Sequence, residues 1–182
     1  MGRIINSTFM SIDGVVQNPQ DWPSNGVHDS SGQDMEAELL AGCDGVLLGR
    51  HTYDIFAAAW PNRSGDPVSD RLNALPKYVV STTLTDTSAW NPTAVISDDV
   101  VGQIGKLREE KTLVQYGFGR LSFTLLEAGL LDELRLWVYP VLVGRGGPAD
   151  LLYRDTTLTQ FDLTDTRPLK SGQVRLTYEV RR

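Results

Sequence analysis

The run Gly45-Val46-Leu47-Leu48-Gly49 carries no polar side chain and is broken at once by Arg50, His51 and Thr52. A strand that alternates apolar and polar residues can face water on one side, but one that is apolar throughout has to be covered on both. Beyond the break, Tyr53, Phe56, Ala57 and Trp60 return at helical spacing on one stripe, and Pro61 ends it. A chain that contains such a strand and such a helix back to back is committed to a largely parallel sheet with helices packed on it.

The rest of the chain continues the alternation. Ile4, Ile5, Phe9, Met10 and Ile12 mark a first strand that breaks at Asp13-Gly14, a pair favouring turns. Val15 to Ser31, rich in Asn, Pro, Ser, Gly and Asp, reads as a long loop of the functional kind. Gln33 to Ala41 forms a helix with Met35, Leu39 and Leu40 inward, closed by Gly42. After a polar loop from Pro61 to Pro67 come strands at 77–81 and 93–96. Ser97, Asp98 and Asp99 then cap a helix that turns Val101, Ile104 and Leu107 inward.

Residues 113–116 form the next strand. Gly117-Phe118-Gly119 turns it into a helix with Leu121, Leu125 and Ala128 on one face, stopped by Gly129. From Glu133 to Tyr139, the apolar Leu134, Leu136 and Val138 alternate with Arg135, Trp137 and Tyr139; exposure of the last two would leave an apolar patch suited to a subunit interface. The segments 158–166 and 174–181 flank Ser171-Gly172 as an antiparallel hairpin. The expectation is an α/β fold, mostly parallel with a C-terminal antiparallel hairpin, in a single domain over residues 1–182.

Composition narrows the function. A net charge of -6 argues against general affinity for nucleic acid or for an anionic membrane, so any anion has to be captured locally. Cys43 is the only cysteine, which fits a reducing cytoplasm and a small structural role better than a disulfide framework or a nucleophile. The longest apolar run, 136–143, is interrupted by Pro140 and is too short to span a bilayer. With only His28 and His51, no metal cluster is expected, and His51 reads as a first-turn helix residue.

The chemistry collects at strand ends, where helix starts present unpaired amides and a partial positive charge. At the first such junction Gly49 permits a tight turn, Arg50 can fork onto a phosphate or pair with Asp54, and Thr52 can cap the helix or offer its hydroxyl to an anion. At the second, Gly117 and Gly119 leave room for close approach and Arg120 adds a charge. An acidic protein that keeps two cationic turns is suited to hold one extended polyphosphate with both.

These residues carry a resemblance. Gly49-Arg50-His51-Thr52-Tyr53 resembles the cofactor motif of dihydrofolate reductases; NSTFMSIDGVV, residues 6–16, is similar to the first strand and mobile loop of that superfamily. Tyr78-Val79-Val80-Ser81-Thr82 and Gly117-Phe118-Gly119-Arg120-Leu121 are similar to two further parts of its coenzyme site. Residues 130–136 with 140–144 resemble the branch that includes the reductase domain of the bacterial bifunctional riboflavin deaminase-reductase. The resemblance implies a dihydrofolate reductase-like three-layer α/β/α fold and an NADPH-dependent reductase related to 5-amino-6-(5-phosphoribosylamino)uracil reductase. Its substrate would be a small pterin-like or pyrimidine-derived molecule. It assigns Arg50 with Ser81 or Thr82 to the 2′-phosphate, and Thr52, Gly117, Gly119, Arg120 and Leu121 to the pyrophosphate. Ile12, Asp13 and Trp22 fall beside nicotinamide and substrate. It also implies a homodimer.

Departures keep alternatives open. The superfamily's helix carboxylate falls on Gln33 by ungapped counting, with Asp34 one residue away; Asp34 is the proton-donor candidate, or an ordinary first-turn acid. Asp13 is a ligand contact or a turn former, and Trp22 a stacking ring or a plug for its loop. A phosphorylated substrate would call on Arg63 or Arg145, and the cysteine and histidine set of a zinc deaminase is missing from the sequence. The alternative function is a non-catalytic NADPH- or nucleotide-binding module.

Overall fold

A computed structural model describes residues 2–22, 30–152 and 158–182. His28 and much of the expected loop from Val15 to Ser31 lie outside the described residues. The chain divides into two compact units that interleave in sequence: residues 2–4 with 33–116, and the described parts of 5–32 with 117–182.

In the first unit, strands β2 (Gly45–Gly49), β3 (Lys77–Val80), β4 (Thr93–Ile96) and β5 (Leu113–Tyr116) are all parallel, in the order β4-β3-β2-β5. Val46, Leu47 and Leu48 are wholly buried, as a strand without a polar face demands. A Cβ on Gly45 would lie 2.8 Å from the Tyr78 ring, so β2 begins on the one residue that fits beside that side chain. Helices α1 (Ser30–Ala41), α2 (Arg50–Ala59) and α4 (Val100–Glu110) contribute Leu39, Leu40, Tyr53 and Ile104 to the core. Val101, expected inside, is 43% exposed and faces solvent: α4 turns Val100, half-buried, and Ile104, fully buried, toward the protein instead.

Helix α3 (Pro67–Ala74) stands where the sequence reading stopped at a loop. Its signal was present in Asp66-Pro67. The Asp66 carboxylate accepts from Val68 N at 3.1 Å and Ser69 N at 2.9 Å, and Pro67 occupies the first turn, where a missing N–H costs nothing. Arg71 on this helix donates to the carbonyls of Leu40 (3.2 Å) and Cys43 (2.7 Å), tying down the end of α1. Cys43 is buried, with its thiol directed at Leu39 O.

The same unit buries a lysine. Lys77 Nζ donates to Asn73 O at 2.5 Å and Asn91 O at 3.3 Å and sits 4.5 Å from the centre of the Trp90 ring. Desolvation pulls its pKa down to about 8.

In the second unit β1 (Ile4–Ser11), from Ile5 onward, runs parallel to β6 (Glu133–Tyr139). Strand β8 (Val174–Val180) is antiparallel to β6 and forms the C-terminal hairpin with β7 (Phe161–Pro168). Gly172 turns the hairpin at φ 84°, in the left-handed region. Helix α5 (Arg120–Glu127) buries Leu125. Trp137 is not the exposed ring that alternation along β6 predicts. It is 3% exposed, its indole N–H donating to Ser7 Oγ at 3.1 Å and its face covered by the Arg175 guanidinium, because both faces of β6 are packed.

Candidate functional site

Parallel register aligns the ends of β2 and β3, with Gly49 opposite Val80. Arg50 and Ser81 therefore emerge side by side. Gly49 is the N-cap of α2 in ordinary extended geometry, so its value is space: a Cβ there would meet nothing within 4 Å, leaving the first amides of α2 approachable. Because the helix starts at Arg50, Thr52 lies half-buried inside the first turn and is not the cap.

The Arg50 side chain takes the second of its two sequence readings, the pair with Asp54. Its Nε is 2.9 Å from both carboxylate oxygens of Asp54, one helical turn on, and a terminal nitrogen donates to Thr83 Oγ1 at 3.2 Å. Ser81 is buried, and its hydroxyl accepts from Thr83 N (3.2 Å) and Leu84 N (3.1 Å), closing the turn after β3. Thr82 is exposed. The hydroxyl that touches Arg50 belongs to Thr83, which the sequence reading passed over in favour of Ser81 and Thr82.

At the end of β5 the Tyr116 hydroxyl donates to Glu36 Oε1 on α1. Asp34 and Gln33 are exposed on the same helix. Residues two apart on a helix differ by roughly 200°, so Glu36, half-buried, is directed inward while Asp34 is directed out. Glu36 was missed because the count from the superfamily motif stopped at 33 and 34. Of the other basic candidates, Arg63 stacks on Trp60, with its guanidinium carbon 4.9 Å from the ring centre.

In the second unit Gly117 adopts φ 76° and Gly119 is the N-cap of α5, so Arg120 opens the helix exposed and Leu121 follows half-buried. The Gly117 and Phe118 carbonyls are held from behind by Asn6 Nδ2 (2.8 Å) and Gln17 Nε2 (3.0 Å). Asp13 is engaged by its own turn and by the loop after β6: it accepts from Ser11 Oγ at 2.5 Å, Val143 N at 3.1 Å and Gly144 N at 2.8 Å. Those bonds, Ser11 foremost, hold its pKa down at about 2. Ile12 donates its N–H to Val141 O at 2.9 Å and leaves its side chain 60% exposed. Trp22 is covered by the protein itself, its ring edge-on to Tyr139 at 5.8 Å, which in turn packs on Phe9 at 5.0 Å. Arg145 is exposed on the loop after β6.

Parallel strands that end in glycine turns and cationic helix starts, followed by an antiparallel hairpin, define an α/β protein of the dihydrofolate reductase-like class. The chain belongs to the RibD C-terminal domain family, which its residues 3–174 match. It is similar to the uncharacterized protein YyaP of Bacillus subtilis (strain 168), 27% identical over 186 residues, with 97% of this chain and 94% of that one covered. Among solved structures it resembles a Shewanella sp. PV-4 protein named for riboflavin biosynthesis (TM-score 0.75, 20% identity, 99% of each chain). It also resembles Acinetobacter baumannii RibD (TM-score 0.69, 19% identity, all of this chain and 58% of that one).

Proposed function

We propose that this chain is an NADPH-dependent reductase that transfers a hydride to a small, flat heterocycle of the pterin-like or pyrimidine-derived kind. Family membership supports an oxidoreductase of the riboflavin-pathway type. The observation that carries the coenzyme choice is the Arg50 guanidinium, posed between Asp54 and Thr83 Oγ1 at the aligned ends of β2 and β3.

The residues fit the coenzyme chemically. Open space at Gly49 admits a phosphate to the α2 amides, and Arg50 with the Thr83 hydroxyl offers donors to a 2′-phosphate. Gly117, Gly119 and Arg120 are the corresponding choice for the diphosphate bridge, and Ile12 for the nicotinamide. When bound, NADPH supplies the hydride. The protein's part is to bind, orient and exclude water, and the candidate to supply the proton is the half-buried Glu36, which accepts the Tyr116 hydroxyl.

Pairing into a homodimer drew support from exposure of Trp137 and Tyr139; with Trp137 buried and Tyr139 packed on Phe9 and Trp22, the proposal rests on resemblance. The test of function is direct. NADPH is titrated against the protein by fluorescence, and loss of the reduced-nicotinamide absorbance is then followed with a panel of pterins and aminopyrimidines. Saturable binding with turnover of a panel member is expected. Binding with no turnover across the panel favours a nucleotide-binding module instead.

A further inference from the structure

The turn between β5 and α5 is anchored by Ser122 of α5 and by two side chains that belong to neither element. Asn6, fully buried on β1, donates Nδ2 to Gly117 O at 2.8 Å, and Ser122 Oγ donates to the same oxygen at 3.3 Å. Gln17, half-buried in the segment after β1, donates Nε2 to Phe118 O at 3.0 Å. These carbonyls belong to consecutive peptide units of a turn flanked by two glycines. Gly117 is in the left-handed region at φ 76°, and glycine peptides sample more conformations than any others. The turn's own backbone does little to select one orientation.

The anchors select it. In a trans peptide the N–H points opposite to the C=O. Holding Gly117 O toward Asn6 therefore aims the Phe118 amide away from Asn6, and holding Phe118 O toward Gln17 aims the Gly119 amide away from Gln17. The Gly119 N–H also reaches Ser122 Oγ at 3.3 Å, so the turn and the first turn of α5 are fixed as one piece. A Cβ on Gly119 would be 3.7 Å from Gln17 Nε2, so the Gln17 amide packs directly beside the N-cap.

We propose that Asn6 and Gln17 are positioning residues for the coenzyme: they set the Gly117–Gly119 turn, whose Gly119 amide is held by Ser122 Oγ, in the orientation that presents the Phe118 amide to the diphosphate bridge. This rests on the NADPH reading above. Gln17 also joins that turn to the segment that continues to Trp22, so the diphosphate turn and the candidate substrate loop share one anchor.

The test uses two ligands. NADPH contains the diphosphate bridge; adenosine 2′-monophosphate keeps the adenosine and 2′-phosphate and lacks the bridge. Gln17→Met preserves side-chain length and removes the donor at a half-buried site, and Asn6→Asp preserves shape and removes the donor at a buried one. Calorimetric titration of Gln17→Met should show the NADPH Kd raised about tenfold and the adenosine 2′-monophosphate Kd changed by less than about twofold. Asn6→Asp should follow the same pattern where it folds. Equal weakening of both ligands, or no change in either, overturns the positioning role. Wild-type protein that binds no NADPH overturns the coenzyme reading itself, a separate result from the variant comparison.

Discussion

Asp13 holds Gly144: Oδ2 accepts the Gly144 N–H at 2.8 Å, while Oδ1 takes the neighbouring Val143 N–H and the Ser11 hydroxyl. One carboxylate thereby joins the turn after β1 to the glycine-rich loop after β6. Its pKa is lowered from 3.8 to about 2, so its contribution is complete above the unfolded value and is lost as pH falls through the folded one. Asp13→Ala should melt at a lower temperature than the parent from neutral pH down to about 4. The gap should close toward pH 2. Thermal scans at a series of acidic pH values check this, and a gap that persists unchanged at pH 2 would remove the carboxylate's charge from the explanation.

Lys77 predicts a pH effect at the other end of the scale. Its pKa falls from 10.5 to about 8 because burial disfavours the charged form, and its named partners are two carbonyls and a ring, with no carboxylate among them. Between those values the unfolded chain holds a proton that the folded one has released, so stability rises with pH across that window. The full gain is about 3 kcal/mol at 1.36 kcal/mol per unit. Denaturant midpoints measured from pH 7 to 10 should climb for the parent relative to Lys77→Met. Parallel curves for the two proteins would contradict the assignment.

Arg50 should discriminate between coenzymes. The 2′-phosphate is the group that separates NADPH from NADH, and a lost charge-assisted bond at such a site costs about 1.5 to 3 kcal/mol. Arg50→Ala should therefore weaken NADPH by roughly tenfold to a hundredfold and NADH by less than about threefold. Thr83→Ala, which removes the hydroxyl that steers the guanidinium, should give a smaller loss with the same preference. Fluorescence titrations with both coenzymes decide it; equal losses would release Arg50 from the 2′-phosphate.

The features legible in the sequence were those set by local pattern. GVLLG had to be buried, and the stripe from Tyr53 had to be a helix that opens on Arg50. What was not legible depended on neighbours brought in by topology. Trp137 looked exposed because alternation along β6 says nothing of Ser7 and Arg175, which come from strands far away in sequence. Thr83 lost to Ser81 and Thr82 because choosing among three consecutive hydroxyls requires the path of the turn, and Ser81 spends its hydroxyl on closing it. Helix α3 was a different failure, since Asp66-Pro67 announced it and the sequence reading passed from the loop at Pro61 to Pro67 straight to the strand at 77.

The same limit bears on the proton donor, where Asp34 and Glu36 compete. Reduction of a pterin-like ring consumes a proton with the hydride, and a positioned acid typically contributes about 100-fold or more to such a step. Asp34 is exposed on α1, whereas Glu36 is half-buried and receives the Tyr116 hydroxyl. Asp34→Asn should leave kcat within about twofold, and Glu36→Gln should lower it at least about tenfold. Tyr116→Phe removes the bond that orients the carboxylate, so it should displace the alkaline limb of the kcat against pH profile, where a donor loses its proton, while NADPH affinity is retained. Steady-state kinetics across pH with the most active panel substrate make the comparison, and the opposite ranking of the two carboxylates would return the role to Asp34.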